Sequence, residues 1–176
     1  SSHGITRDNA QMVESRPPNW YYEQQLLGFN YRMTDIQAAL GISQISRLET
    51  FVHKRNRIAE TYDNFFAKEN LQTTKIESHN RCSFHLYIIS FPLSTKNKKT
   101  EIFEFFRSFG IGVNKHYIPI YLQPFYKNLG FEAGYCANAE EYYSTSLSIP
   151  IYPAMREFET EKVLDISKRA IEVFCE

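Results

Sequence analysis

Five histidines, three cysteines and the neighbouring pair Lys115 and His116 are the residues of this 176-residue chain whose types could hold a metal, attack a substrate or move a proton. His3, His53, His79, His85 and His116 contain no pair at the helical i,i+4 spacing of a metal-ligating motif, so no metal site is expected. Cys82, Cys136 and Cys175 are odd in number, widely spaced and outside any C-x-x-C pattern, which argues against a disulfide framework and against zinc. They read as thiols of a cytoplasmic protein. There is no G-x-S-x-G turn, and the "GYC" at 134–136 has no histidine near it, so a serine or cysteine nucleophile is not expected either. Glu140 and Glu141 are adjacent, point apart on a helix and are expected to face solvent rather than to act as a carboxylate pair.

Lys115 and His116 are left, together with Asn30 and Arg32 of "GFNYR". On a strand Lys115 and His116 face opposite ways, so only one of them can share a pocket with a given neighbour. Taken by residue type alone, His116 is more often a satisfied structural histidine than a ligand or base. By the same standard Asn30 is a turn residue and Arg32 a surface or capping group.

The elements that must position these residues are legible in outline. Residues 1–33 mix polar and aromatic types, and "RPPNWYYEQQ" makes a regular helix through Pro17 and Pro18 improbable, so an ordered loop lining a site is expected. Residues 34–69 lack proline, Thr34 is placed as an N-cap and Asp35 lies in the favourable first turn, which predicts one long helix. Ile36, Ala39, Leu40, Ile42 and Ile45 spread over a wide arc, whereas Phe51, Ile58, Tyr62 and Phe65 keep to one stripe. The start of the helix is therefore expected to be buried and its end half exposed.

Residues 70–176 read as a small domain. "SFHLYIISFPL" from Ser83 to Leu93 predicts a strand covered on both faces. "TEIFEFFRSFG" predicts a helix closed by Gly110, and "IGVNKHYI" a second strand, a β-α-β unit. "AEEYYSTSLSIP" predicts a short helix ending before Pro150, and Val163, Ile166, Ala170, Val173 and Phe174 mark one face of a final helix. The fold class is α/β (α+β), a small sheet packed with helices. "KNKK" reads as a solvated run.

Lysine plus arginine and aspartate plus glutamate stand at 20 each, so no net field favours nucleic acid or an anionic membrane. No run is long and apolar enough to span a bilayer, and the amino end lacks the pattern of a secretory signal. The chain starts without methionine at "SSHGITRD", and its first lysine is Lys54, as expected of a piece of a longer protein.

"HGI", "GFNYRMTDIQAALGISQ", "IGVNKHYIPIYLQPFY" and "AEEYYSTSLSIPIYP", in this order and spacing, resemble the carboxy-terminal part of the DegT/StrS-type sugar-nucleotide aminotransferases over nearly the whole chain. "WYYEQQLLGFNYRMTDIQAALG" is most similar to the branch that aminates a UDP-linked 4-keto-6-deoxy-amino sugar on the way to pseudaminic acid. The resemblance implies the small carboxy-terminal domain and linking helix of a fold-type I enzyme that uses pyridoxal 5'-phosphate, works as a homodimer and takes its amino group from glutamate. It places the Schiff-base lysine just before "HGI", outside these residues, so the chain alone is expected to be inactive. Asn30 falls on the family asparagine that reaches the cofactor phosphate of the partner subunit, and Arg32 on the arginine near substrate or phosphate. His116 and Tyr117 fall on the "HY" that lies against the sugar nucleotide, with Lys115 and Ile118 beside them. "HYIPIY" is expected to present its polar tips from a strand anchored by its apolar residues. Relatives also include dehydratases with histidine in place of the lysine, and a non-catalytic binding or dimerisation module is the reading from another class.

Overall fold

A computed structural model describes residues 3–16, 18–69 and 71–175. Pro17, on which part of the loop expectation falls, lies outside the described residues. The chain divides into two compact units, 1–48 and 49–176.

The first unit pairs strand β1 (Ile5–Thr6) antiparallel with β2 (Glu23–Gln24). The pairing depends on two glycines, because a Cβ on Gly28 would stand 2.3 Å from the Gly4 nitrogen and one on Gly4 would stand 1.8 Å from the Leu26 carbonyl oxygen. Gly4 also has a φ of +74°, a region that other residues enter at a cost. The Glu23 carboxylate accepts from the backbone N–H groups of Val13 and Glu14, both at 2.8 Å, and these two bonds hold it below the usual carboxylate range. Helix α1 (Asp35–Ile45) opens with a capping box. Gln37 N–H donates to the Thr34 hydroxyl, and Thr34 N–H donates to the Gln37 side chain at 2.9 Å.

Two expectations for 34–69 are overturned. The run carries two helices rather than one, α1 and α2 (Leu48–Phe66). The burial is also reversed: no residue of α1 is buried, whereas Ala59, Tyr62 and Phe66 of α2 are. Ile36, Leu40, Ile42 and Ile45 are all exposed, because nothing in their own unit packs over them.

The second unit contains all the buried hydrophobic residues among those described. Its sheet runs β3 (Gln72–Thr73), β4 (Tyr87–Ser90), β5 (Ser146–Ile149), with antiparallel neighbours. Asn114 adds a single antiparallel bridge to Ser148 on the free edge of β5. The segment around Asn114 and β4 are both antiparallel to β5 and therefore parallel to each other, the β-α-β relation with β5 inserted between its arms. Helix α3 (Lys99–Ser108) makes the crossover, and Gly110 follows it at φ +74°. The short helices α4 (Pro124–Lys127) and α5 (Ala137–Thr145) follow, and helix α6 (Glu157–Phe174) closes the chain.

The core joins Tyr62 and Phe66, Tyr87 and Ile89, Phe106, Leu147 and Val163. The strand predicted over 83–93 is four residues long, and only its alternate residues Tyr87 and Ile89 are buried. The helix predicted from Ala139 to before Pro150 is the short α5 (Ala137–Thr145), and the chain then straightens into β5, whose four residues are all buried. Burial between two strand partners decides that change, since Ser146 and Ser148 would be poor core residues without their hydrogen bonds. No described helix is long and apolar enough to cross a membrane.

Candidate functional site

The edge bridge sets the geometry around His116. Ser148 N–H donates to the Asn114 carbonyl at 2.8 Å, and Asn114 N–H donates back to the Ser148 carbonyl at 3.2 Å. Two residues beyond Asn114, His116 places Nδ1 2.6 Å from the Ser148 hydroxyl oxygen. The imidazole is half-buried, and Asn114, His116 and Ser148 line a cavity of about 580 Å3 together with Tyr152, Glu159 and Lys162. The Glu159 carboxylate is fixed there. It accepts from Arg156 Nε at 3.1 Å, from Arg156 backbone N–H at 2.9 Å and from the Tyr152 hydroxyl at 3.2 Å. Chiefly through the Arg156 side chain, its pKa is held down to about 2, so the wall carries a carboxylate at neutral pH.

Lys115 faces elsewhere. Its amine donates to the carbonyls of Tyr143 and Ser144 at 3.3 and 3.4 Å, at the end of α5, and it does not line the cavity. Burial first, and then the charge of Lys99, pull its pKa down to about 8. Lys99 itself sits over the Tyr143 ring, 4.5 Å from the centroid. The strand predicted over 111–118 is reduced to the single bridge at Asn114; Lys115 and His116 lie beyond it with a bend at His116, and their side chains still meet different neighbours.

The His116–Tyr117 rings meet edge to face at 4.7 Å, and the Tyr117 side chain is 72% exposed. Ile118 and Ile120 are exposed as well, so the apolar anchoring expected of "HYIPIY" is corrected. The buried members are Pro119, which precedes a 3₁₀ turn, Ile120–Leu122, and Tyr121 within that turn. Tyr121 donates to Glu140 Oε1 at 2.8 Å, and Gly134 N–H donates to the same oxygen at 2.6 Å. Glu140 is therefore a clamp on the 120–136 excursion and not an idle solvated carboxylate; Glu141 is exposed.

Asn30 and Arg32 lie in the other unit, in the irregular segment ahead of α1, and both are exposed. The rings of Phe29 and Tyr31 stack with centroids 5.3 Å apart and planes at 11°, a contact that keeps alternate residues on one side of the chain. The Asn30 amide and the Arg32 guanidinium are donors with no hydrogen-bonded acceptor among the described residues, a donor set suited to a phosphate group such as that of pyridoxal phosphate. Sequence reasoning did not single out Ser148, Tyr152, Glu159 or Lys162. Ser148 and Tyr152 lie inside the quoted "AEEYYSTSLSIPIYP", but only the register of β5 reveals what Ser148 faces, and only the packing of α6 what Tyr152 meets.

Residues 1–167 match the DegT/DnrJ/EryC1/StrS aminotransferase family. The chain is 35% identical to the UDP-4-amino-4,6-dideoxy-N-acetyl-beta-L-altrosamine transaminase of Campylobacter jejuni, over 99% of this chain and 45% of that protein. Its structure is similar to that of PseC of Helicobacter pylori, an aminotransferase involved in the biosynthesis of pseudoaminic acid, with a TM-score of 0.84 and 26% identity over 98% of this chain and 44% of that one. It is equally similar to a Streptococcus pneumoniae protein solved in PMP and PLP forms; against the PMP form the TM-score is 0.84 and the identity 27%, over 98% of this chain and 43% of that one. The chain thus spans less than half the length of the relatives it matches.

Proposed function

The chain belongs to the DegT/DnrJ/EryC1/StrS aminotransferase family, whose cofactor is pyridoxal 5'-phosphate, and from that premise we propose that it is the carboxy-terminal portion of an enzyme that passes an amino group from glutamate to a UDP-linked 4-keto-6-deoxy sugar. The observation that carries this reading is the similarity, across nearly all of the chain, to a transaminase of that substrate class. Pyridoxal phosphate supplies an electron sink and an amino carrier when bound. Everything else falls to the protein's own residues.

Asn30 and Arg32 serve the phosphate end, the first through a neutral amide and the second through a forked cation. His116 contributes a polar contact to the sugar nucleotide from the cavity wall, and Tyr117 and Ile118 lie beside it as exposed surface. Lys115 reaches the ligand only by leaving the Tyr143 and Ser144 carbonyls, so its part is the weakest of the set. The lysine that anchors the cofactor comes from outside these 176 residues, and the active enzyme is a cytoplasmic homodimer in which Asn30 of one subunit serves the cofactor of the other.

Borohydride reduction in the presence of pyridoxal phosphate tests the division of labour. The chain alone is expected to take up no stoichiometric label at a single lysine. One stoichiometrically labelled lysine within it would show that it carries its own anchoring amine.

Association without catalysis is the second reading. The exposure of Ile36, Leu40, Ile42 and Ile45 on α1 favours it, since apolar side chains so arranged mark a covered surface. A chain that stays monomeric across a concentration series would count against it.

A further inference from the structure

Ser148 is 6% exposed, and among the described residues its hydroxyl has one hydrogen-bond partner, Nδ1 of His116. A hydroxyl carries one proton to donate and an imidazole nitrogen can either accept or donate, so the 2.6 Å contact has two arrangements. In the first, Ser148 donates to Nδ1 and the ring carries its proton on Nε2. In the second, Nδ1–H donates to Ser148 and the hydroxyl proton has no acceptor among the described residues, an arrangement that the burial of Ser148 penalises. The first arrangement satisfies both groups. The bridge to Asn114 keeps Ser148 in register beneath the ring, so the arrangement is built into the backbone as well as the side chains.

We propose that Ser148 is a positioning residue that donates to Nδ1 of His116 and commits the imidazole to the Nε2–H form, so that His116 offers a hydrogen-bond donor to an oxygen of the ligand in the cavity rather than a basic nitrogen. The ligand side of this statement rests on the reading of the cavity as a nucleotide-sugar contact. The tautomer does not.

Nitrogen-detected NMR of imidazole-labelled chain at about pH 9, above the range in which histidines ordinarily take up a proton, separates the two. The expected result is an unprotonated Nδ1 and a protonated Nε2 for His116. In Ser148→Ala the lock is lost and the signals move to an average of two tautomers, whereas Ser148→Thr keeps the hydroxyl and the wild-type pattern. A protonated Nδ1 in the wild type overturns the proposal, and that measurement needs no variant to fold. So does an unchanged pattern in a folded Ser148→Ala. Titration with UDP-N-acetylglucosamine is expected to shift the Nε2 signal. If the tautomer is as stated and this probe and a UDP-4-keto-6-deoxy sugar both leave the ring unmoved in the cofactor-loaded full-length enzyme, the failure belongs to the nucleotide-sugar reading and the role of Ser148 as a tautomer lock stands.

Discussion

The side-chain amine of Lys115 lies 3.3 Å from the backbone carbonyl oxygen of Tyr143, held among the last carbonyls of α5, while the next residue turns its ring toward Ser148. A cation there satisfies carbonyls that have no partner within the helix. Burial nevertheless opposes its charge. Below about pH 8 the amine is protonated in both folded and unfolded chains, and the cost of the buried charge is present in full. Between about 8 and the ordinary lysine value of 10.5 the unfolded chain holds more protons, so stability rises with pH. Tyr62 and Tyr87, whose hydroxyls burial pushes above 10.0, act with the opposite sign beyond pH 10. The urea midpoint is therefore expected to rise between about pH 8 and pH 10 and to lose that rise in Lys115→Met. An equal rise in the variant would remove Lys115 as its source.

Gly28→Ala is expected to undo the β1–β2 pairing while leaving the second unit folded. The added methyl would stand 2.3 Å from the Gly4 nitrogen, a clash with backbone that no rotamer relieves. Overpacking of this kind costs about 1–3 kcal/mol or more. Limited proteolysis should cut residues 3–33 much faster, with little change in the helical circular dichroism.

Phe106→Ala and Ile42→Ala should separate the two halves of the chain by stability. Phe106 is fully buried, and its truncation is expected to cost about 3–5 kcal/mol. Ile42 is 72% exposed, and its truncation should stay within about 0.5 kcal/mol. Urea unfolding of the isolated chain measures both, and a large loss in Ile42→Ala would mean that α1 is covered in solution, by association of copies.

Glu140→Gln should loosen the loop between the 3₁₀ turn and α5 without unfolding the sheet. One carboxylate oxygen accepts from both Tyr121 and Gly134, and hydrogen bonds to a charged acceptor contribute about 1.5–3 kcal/mol. Hydrogen exchange at the Gly134 amide is expected to accelerate by more than tenfold, while Ile89 and Leu147 in the sheet keep their protection.

Periodicity made α3 and α6 legible, because Ile102 and Phe106, and Val163, Ile166 and Ala170, recur at helical spacing and all are buried, although Val173, expected on the same face of α6, is exposed and Phe174 only partly buried near the end of the helix. It failed at β5. "SLSI" carries two serines, and what makes it a central strand is pairing with β4 on one edge and Asn114 on the other, neither of which is local. It also failed on α1, where apolar side chains show which surface favours cover and say nothing about where the cover comes from. At the site, Lys115 and His116 do face different neighbours as expected, but the strand expected to divide them is only a bridge at Asn114. Ser148 was out of reach, since a residue 32 positions away meets His116 only through the register of the sheet.

The most direct test of the central claim is a transamination assay on the full-length product of the gene that encodes this chain. With pyridoxal phosphate and glutamate, the account predicts amination of a UDP-4-keto-6-deoxy sugar, and a drop in kcat/KM of at least about tenfold in His116→Ala, or about 1.4 kcal/mol of lost transition-state binding. A full-length protein that binds no pyridoxal phosphate, or that aminates the sugar equally well without the His116 imidazole, would contradict it.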